Sequence, residues 1–579
     1  MKYKLRGPVN QHNLLEDILM NRGIKNIDLY KNPIYDLPKA EDIINLPEML
    51  IKLKKSFNKR ILLCVDADTD GYTSASIIYT FLKRTVENIN LDYYVHPMKT
   101  HGITDDLKAK VISGGYEVLI VPDAGSNDID NSCFLWENGV EILIIDHHEI
   151  EAKNDFALVV NNMQGDTNKA FTGAGMTYIV CKELAKILNI EEPRYLLDLA
   201  AIGNIADSAV LTSNELRSLC KEGLANINNN FVKTIMKDKG LEKLSISDIS
   251  WKIAPIINGV CRSGSLEERE LLFKALNDIH NGEIYTVVKR KLNKETRKYE
   301  QVPFELNFYE YALDILSKCR EKQNKALEPI LKELDDKINE NRQIQIFVID
   351  KEELRSNTGL VANKMSDRCS QPVLVLWEKE DTYTGSARGN TNIMKDFKKY
   401  CSETGLFSLC QGHDNAFGVI IKKENLLKFT EKINSDRFEQ KQDMEEHLVD
   451  YIYENGDINR MHMREVSDNT ELWCNGCPEP QFAVLNIPVM KDNVNLYRGG
   501  TLKIYAGGIT YMKFFAKAAE KEKFEVGFGN ELVMNAICRF ENNTYNGKTT
   551  QQAILVDYEV FEKPIEINPE QQSVLDFFS

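Results

Sequence analysis

The sequence predicts a multidomain α/β protein: a parallel-sheet domain, a helical connector, a second and smaller α/β domain, and a terminal β-rich domain. Three observations predict it. Between residues 60 and 160, short β-branched apolar runs alternate with helix-compatible stretches, the pattern of a parallel sheet. The same alternation returns after residue 343. Residues 466–570 instead carry short strands separated by turn signals, which suits a small barrel. The 579 residues also exceed one ordinary domain.

Taken in order, residues 1–58 read as a largely helical lead-in with a loop at YKNPIYDLPKAED. Residues 59–225 form the first α/β domain. Its strands are ILLCV (61–65), LDYYVHP (91–97), YEVLIVPD (116–123), VEILIID (140–146) and FALVV (156–160). Apolar helices follow over 173–225. Residues 226–340 carry long charged stretches and read as a helical connector. The second α/β domain spans 341–435, with strands IQIFVID, PVLVLWE and AFGVIIK. Residues 436–465 are highly charged and read as a linker helix. The β-rich domain occupies 466–579, and its Asn546-Gly547 is a hairpin-turn signal.

Composition narrows the classes. Hydrophobic residues make up 43% and aromatics 9% of the chain, which fits packed domains and not disorder. No apolar run approaches the roughly 18–20 residues of a membrane span, and the N-terminus lacks a signal-peptide core. A cytoplasmic protein without membrane association is expected. Twelve scattered cysteines suit a reducing compartment. A net charge of −15 argues against a broad basic surface for polyanions, but leaves room for a basic groove.

The chemistry gathers at strand ends, where open parallel sheets bind ligands. The first strand ends in DADTDG, with Asp66, Asp68 and Asp70. The third ends in Asp123, and the fourth in Asp146, His147 and His148. Asp207 follows an apolar helix. Any one of these is a common turn or surface pair; three strand ends of the same kind are not. Carboxylates with imidazole suit Mg²⁺ or Mn²⁺. Two such ions about 3.5–4 Å apart can activate a water and stabilise attack on phosphorus. Metal-dependent hydrolysis of a phosphoester is therefore the expected reaction.

DADTDGYTS, VPDAGS, IIDHHE and GNIADSAVL, in this order, resemble the four motifs of the DHH phosphoesterase superfamily. WKIAPIINGVCRSG, NTGLVANKMSDRCSQPVLVLWE, GSARG, CQGHDNAFGVII and GCPEPQF extend the resemblance, along nearly the whole chain, to the RecJ-type single-stranded-DNA exonucleases. The resemblance implies a DHH catalytic domain over 59–225, a DHH-associated domain over 341–435 and an oligonucleotide-binding (OB-like) barrel at the C-terminus. It implies a two-ion Mn²⁺ or Mg²⁺ enzyme degrading single-stranded DNA from 5′ to 3′ into mononucleotides, in repair or recombination. By position, Asp68, Asp70, Asp123, His147 and Asp207 are metal ligands, with Asp123 bridging. Asp66 and Asp146 support them, and His148 is a phosphate contact or proton donor. Arg262, Ser386, Arg388 and His413 match positions that handle the DNA end. A single-strand-binding protein or a helicase is the kind of partner such an enzyme takes.

The superfamily offers two other roles. One is a phosphodiesterase of short oligonucleotides or cyclic dinucleotides, against which the connector and barrel count. The other is an inactive scaffold of replication complexes, against which the retained acids count. Departures from the family pattern point to a divergent branch, of viral or mobile-element kind. Cys64 stands where many members have histidine, and a thiol is a poor ligand for these ions; a buried strand residue is the better reading. Cys410 and Gln411 replace common glycines, and Asp414, Asn415 and Phe417 replace small residues. For the strand track, stacking aromatics and cations are offered by Phe482, Tyr497, Arg498, Tyr505, Tyr511, Lys513 and Phe514, with Lys395, Lys398 and Lys399 as further phosphate contacts. Cys474 and Cys477 have no second pair at zinc spacing and read as incidental. His96 and His101 fall near the expected cleft.

Overall fold

The computed structural model describes residues 1–9, 13–292, 296–339, 342–350, 355, 357–391, 393–436, 446–525, 531–545 and 548–562. The chain divides into two compact units, Asn32–Lys441 and Met1–Lys31 with Gln442–Ser579.

The larger unit is built on a five-stranded parallel sheet: β1 (Ile61–Val65), β2 (Leu91–Val95), β3 (Val118–Pro122), β4 (Glu141–Asp146) and β5 (Leu158–Asn161), in the order β2-β1-β3-β4-β5. β1 and β3 are buried at every position, as expected of strands covered on both faces. The chain leaves β1 for the edge at β2 and returns on the other side of β1 at β3. That reversal is a topological switch point, and it places the turns after β1 and β3 side by side at the carboxyl rim. Helix α1 (Thr69–Thr85) follows β1. It packs against α4 (Gly173–Ile187) and α5 (Leu197–Ala206), with α2 (Asp105–Gly114) and α3 (Ile129–Glu137) between strands. The nine helical positions from Leu197 to Ile205 are all buried, so α5 is a core helix.

Further along, α6 (Ala254–Ser263) is preceded by a π-helical turn at Ile249–Ile253 and followed by α7 (Leu266–Leu276). The connector is not wholly helical, as expected from its charge. An antiparallel hairpin of β6 (Tyr285–Leu292) and β7 (Tyr299–Leu306) interrupts it before the 28-residue helix α8 (Phe308–Asp335). The adjacent Val287 and Val288, followed at once by Lys289 and Arg290, hid a solvated two-stranded ribbon among charges. A mixed sheet then forms from β8 (Gln345–Val348), β9 (Val373–Lys379), β10 (Thr382–Arg388), β11 (Phe407–His413) and β12 (Ala416–Lys422), in the order β11-β12-β10-β9-β8. Helix α9 (Thr358–Cys369) packs on β9 and β10.

In the smaller unit, Lys2–Leu5 pairs in parallel with Glu446–Val449, so the first residues belong with the C-terminal ones. The expected linker helix over 436–465 is corrected here. Its described part holds strands Glu446–Val449 and Tyr451–Tyr453, and helix begins only at Arg460; residues 437–445 lie outside the described ones. The β-forming run LVDYIY outweighs the charge of its surroundings. The expected barrel also differs. Seven strands pair in one linear order from Tyr451–Tyr453 through Phe482–Met490, Glu531–Tyr545, Lys548–Glu562, Ile509–Lys513 and Thr501–Ala506 to Val494–Tyr497, and among the described residues no pairing joins the two ends. The 15-residue strands Glu531–Tyr545 and Lys548–Glu562 pair from Leu532 to Tyr545 with one bulge at Ile537/Cys538, which builds an extended sheet. The Asn546-Gly547 turn expected between them lies outside the described residues.

Candidate metal centre

The rim is assembled from the turns after β1, β3 and β4 and the end of α5. Asp68 is the N-cap of α1, its Oδ1 accepting from Gly71 N at 2.9 Å. A Cβ on Gly71 would lie 2.5 Å from Asp66 Cβ and 2.7 Å from Asp66 O, so only glycine lets the turn close this tightly. Asp66 is buried, its Oδ2 2.5 Å from His101 Nδ1 and its Oδ1 accepting from Gly102 N at 2.9 Å. Burial works against its charge, but His101 and the Gly102 amide prevail and hold its carboxyl below the ordinary range.

Asp70 points the other way. Its Oδ1 accepts from Thr172 Oγ1 at 2.9 Å and Ala174 N at 3.1 Å, and its Oδ2 from Gly173 N at 2.8 Å. The start of α4 thus fixes this acid, and the Thr172 hydroxyl serves Asp70 instead of capping its own helix. Burial still raises the Asp70 pKa. Asp123 holds a left-handed backbone, φ 68°, a costly conformation for a residue with a Cβ. Its amide donates to Ile145 O at 2.7 Å. Burial, then Asp70, Asp68 and Asp66, push its pKa far up.

Three carboxylates converge on one imidazole nitrogen. His147 Nε2 lies 3.1 Å from Asp123 Oδ1 and 3.8 Å from both Asp70 Oδ2 and Asp207 Oδ2. Burial lowers the His147 pKa. Asp207, at the C-terminal end of α5, is pushed up to about 8 by burial and by Asp70 and Asp68. Asp146 is the strut of this corner. Its Oδ1 accepts from His147 N at 2.7 Å and lies 2.8 Å from His148 Nδ1, while its Oδ2 accepts from Ser126 N at 3.0 Å. Burial opposes its charge, but the hydrogen bond and charge of His148 prevail and hold it well below the ordinary range. For His148, burial is outweighed by Asp146 in turn, which raises its pKa to about 9.

The potential ligand atoms form three groups within 4.8 Å: Asp70, His147 and Asp207; Asp123, His147 and His148; and Asp66, Asp68 and His101. All eight acids and histidines singled out at the strand ends and at Asp207 therefore fall at this rim. The sequence reading missed the grip of Thr172 and Gly173 on Asp70; the signal was the TGAG run opening a helix. It also missed Lys99, whose ammonium is depressed by burial and then by Arg262, and which feels Asp68 and Asp66. Cys64 is fully buried in β1, its Sγ 3.5 Å from His96 Nε2. Burial, then Asp66 and Asp128, keep the thiol protonated, which fits a strand residue and not a ligand.

Of the expected end-binding residues, Ser386 and Arg388 lie on β10. Ser386 Oγ sits 2.9 Å from Thr358 Oγ1, and Arg388 Nη1 donates to Ala387 O at 2.8 Å. Burial and then the charge of Arg262 depress the Arg388 guanidinium, so these two cations are neighbours. His413 ends β11, and its side chain lies outside the described residues. Lys398 Nζ donates to Gly412 O at 2.6 Å, and Lys399 lies 3.9 Å from Glu403, so both already have local partners. In the smaller unit the strand-track candidates divide. Phe482 and Tyr511 are buried core residues, a correction, whereas Tyr497, Tyr505 and Phe514 are exposed. Both buried rings come from the inward register of their strands, which a one-residue shift would have reversed. Cys474 and Cys477 bond each other's backbone in a tight turn, in keeping with an incidental role.

The family model described as "DHH family, N-terminal domain" matches residues 60–204. The chain is 31% identical over 585 residues, covering 97% of itself and 98% of the relative, to the SPbeta prophage-derived YorK of Bacillus subtilis (strain 168), whose name gives a single-strand DNA-specific exonuclease activity only as provisional. It is 24% identical to the single-stranded-DNA-specific exonuclease RecJ of Haemophilus influenzae, over 84% of this chain and 86% of that one. In structure it resembles Thermus thermophilus RecJ in complex with Mn²⁺, with a TM-score of 0.72 and 19% identity, over 95% of this chain and 76% of that one. The chain belongs to the DHH superfamily, in its RecJ-type branch. Among the described residues, no helix is long and apolar enough to cross a membrane.

Proposed function

We propose that the protein is a metal-dependent exonuclease that hydrolyses single-stranded DNA from the 5′ end. The observation that carries this is Asp123 Oδ1. It is buried without a hydrogen-bond donor among the described residues, beside His147 Nε2 and within the field of three other carboxylates. So many buried acids repel one another unless cations sit among them. The donor set of carboxylate oxygens with one imidazole fits Mn²⁺ or Mg²⁺. Asp68, Asp70, Asp123, His147 and Asp207 would hold two ions, with Asp66 and His101 beside Asp68. Bound there, the ions would supply Lewis acidity to the phosphate and a lowered pKa to the attacking water.

The chain's own groups do the rest. His148, kept protonated by Asp146, can donate to a phosphate oxygen or to the departing oxygen. Arg262, Arg388, Ser386 and His413 hold the terminal phosphate, the adjacent guanidinium groups favouring an anion between them. The OB-like reading of the open C-terminal sheet makes Tyr497, Tyr505 and Phe514 a stacking track. On this reading the enzyme works in the cytoplasm in repair or recombination, on strands exposed by a helicase or held by a single-strand-binding protein. The relatedness to YorK and to Haemophilus RecJ supports the single-stranded substrate. Digestion of 5′- and 3′-labelled single and double strands, with and without Mn²⁺, tests it. Mononucleotides should leave the 5′ end of the single strand, and Asp123→Ala or His147→Ala should abolish this. Unchanged digestion by those variants would overturn the site.

A further inference from the structure

The helix carrying Arg262 leaves one stripe open to solvent. In α6, Ala254, Ile256, Ile257, Gly259, Val260 and Cys261 are buried, while Pro255, Asn258 and Arg262 are partly open. One turn earlier, Trp251 is 73% exposed, although its neighbours Ile249 and Ile253 are fully buried. Positions 251, 255, 258 and 262 follow i, i+4, i+7 and i+11 spacing, so they share a face. Hydrogen bonds show where that face looks. Asn258 Oδ1 accepts from Thr69 N at 3.1 Å, and Thr69 Oγ1 donates to Ala254 O at 3.4 Å. Asn258 and Ala254 thus meet the DADTDG turn, with Arg262 one turn beyond Asn258 and Trp251 about one turn before Ala254 on the same stripe. Trp251 sits inside the π-helical turn Ile249–Ile253, and such insertions re-aim side chains and recur at functional sites. The same segment packs against α5, the helix that ends at Asp207.

We propose that Trp251 is a stacking platform for an unpaired base of the bound strand and thereby a determinant of single-strand preference. The inference rests on the nuclease reading of the acidic centre and deepens it. An indole face accepts any base without sequence preference. A base inside a duplex has both faces covered by its neighbours, so it cannot use this platform without unstacking. The arrangement puts a cation for phosphate and a ring for a base on one helical stripe, which meets the DADTDG turn between them.

The test uses the full-length protein with Mn²⁺. Trp251→Ala should raise KM for single-stranded oligonucleotides by about 5- to 150-fold, the range expected for one lost stack, with kcat held within about twofold. Trp251→Phe should restore most of the affinity. On a strand made abasic over its first several positions, the penalty of Trp251→Ala should shrink to within about twofold. Binding is read separately without turnover: oligothymidylate added to metal-free protein should quench the emission difference between the parent and Trp251→Phe. Equal KM for parent and Trp251→Ala on base-bearing strands, or an emission difference that oligothymidylate leaves unchanged, would overturn the proposal. If the parent itself cleaves no single strand, the nuclease reading fails, while the quenching arm still decides the stacking.

Discussion

Replacing Gly173 with alanine should disable the centre through a single methyl group. Gly173 is the first residue of α4, and its missing side chain is the space that Asp123 occupies. A Cβ there would lie 2.3 Å from Asp123 Oδ1, 2.5 Å from its Cβ and 2.6 Å from its Cγ. Comfortable contacts between such atoms are about 3.5 Å or more, so roughly 1 Å of movement is required. Neither side yields easily. Asp123 is held at φ 68° with its amide on Ile145 O, and the Gly173 amide grips Asp70. The methyl group must push Asp123 outward or tilt α4 and release Asp70. Overpacking of this kind costs about 1–3 kcal/mol of stability, and a ligand displaced by about 1 Å can cost about 100-fold in rate. Digestion of a 5′-labelled single strand in Mn²⁺ should fall by at least that factor, and calorimetric titration should show weakened Mn²⁺ binding. Gly418→Ala, whose Cβ would meet nothing closer than 3.8 Å, should behave as the parent. Undiminished turnover with an unchanged Mn²⁺ titration in Gly173→Ala would refute the geometry.

Further outcomes follow from the same contacts. Asp123→Asn should raise the melting temperature of the EDTA-treated protein, because it removes an acid whose ionised form is disfavoured by burial and by the acids it faces, and should lose most of the stabilisation that Mn²⁺ gives the parent. The metal-free protein should lose stability as pH rises. Asp207, raised to about 8, binds more protons folded than unfolded from the ordinary carboxylate value up to that pH. His148, raised to about 9, stabilises fully below the ordinary histidine value and stops doing so as pH passes about 9. Thermal melts at pH 6 and pH 9 should show this slope, and Asp207→Asn should flatten it. Asp146→Asn, which frees His147 and His148, should cut turnover about 10- to 100-fold and move the alkaline limb of the pH–rate profile to lower pH. Phe482→Ala should destabilise the smaller unit by about 3–5 kcal/mol, whereas Tyr505→Ala should change its melting by no more than about 0.5 kcal/mol and raise KM on long strands.

Much of the first domain was legible because its signals are local. Strands such as ILLCV and VEILIID are continuous apolar runs, and each leads into an acid at its carboxyl end. The strand-end acids and histidines could therefore be singled out before any fold was known, and the family resemblance then proposed Asp68, Asp70, Asp123, His147 and Asp207 as the ligands. The partners of those acids were not legible. Thr172, Gly173 and Asn258 look like ordinary helix residues, and only the packing of α4 and α6 brings them to the DADTDG turn. Asp66 was read as orienting a ligand or the loop, and the structure gives it a partner of its own in His101. The smaller unit was read least well. In a half-buried strand one residue of register decides whether Phe482 or Tyr511 faces core or solvent, and the short β-forming run LVDYIY was masked by the charged run before it.

The hold on Asp70 has a consequence for how the centre comes into being. The acid and its Thr172 partner are 102 residues apart, and Thr69 meets Asn258 across 189. Contacts of such separation form late, after the cost of closing long loops has been met. A nascent chain that has emerged only through β5 would display the acids of β1, β3 and β4 with nothing to orient Asp70. Competence to bind metal should therefore switch on abruptly, once α4 and then α6, which ends at Ser263 of 579 residues, have docked, and a growing chain would pass the first part of its synthesis as a harmless acidic sheet.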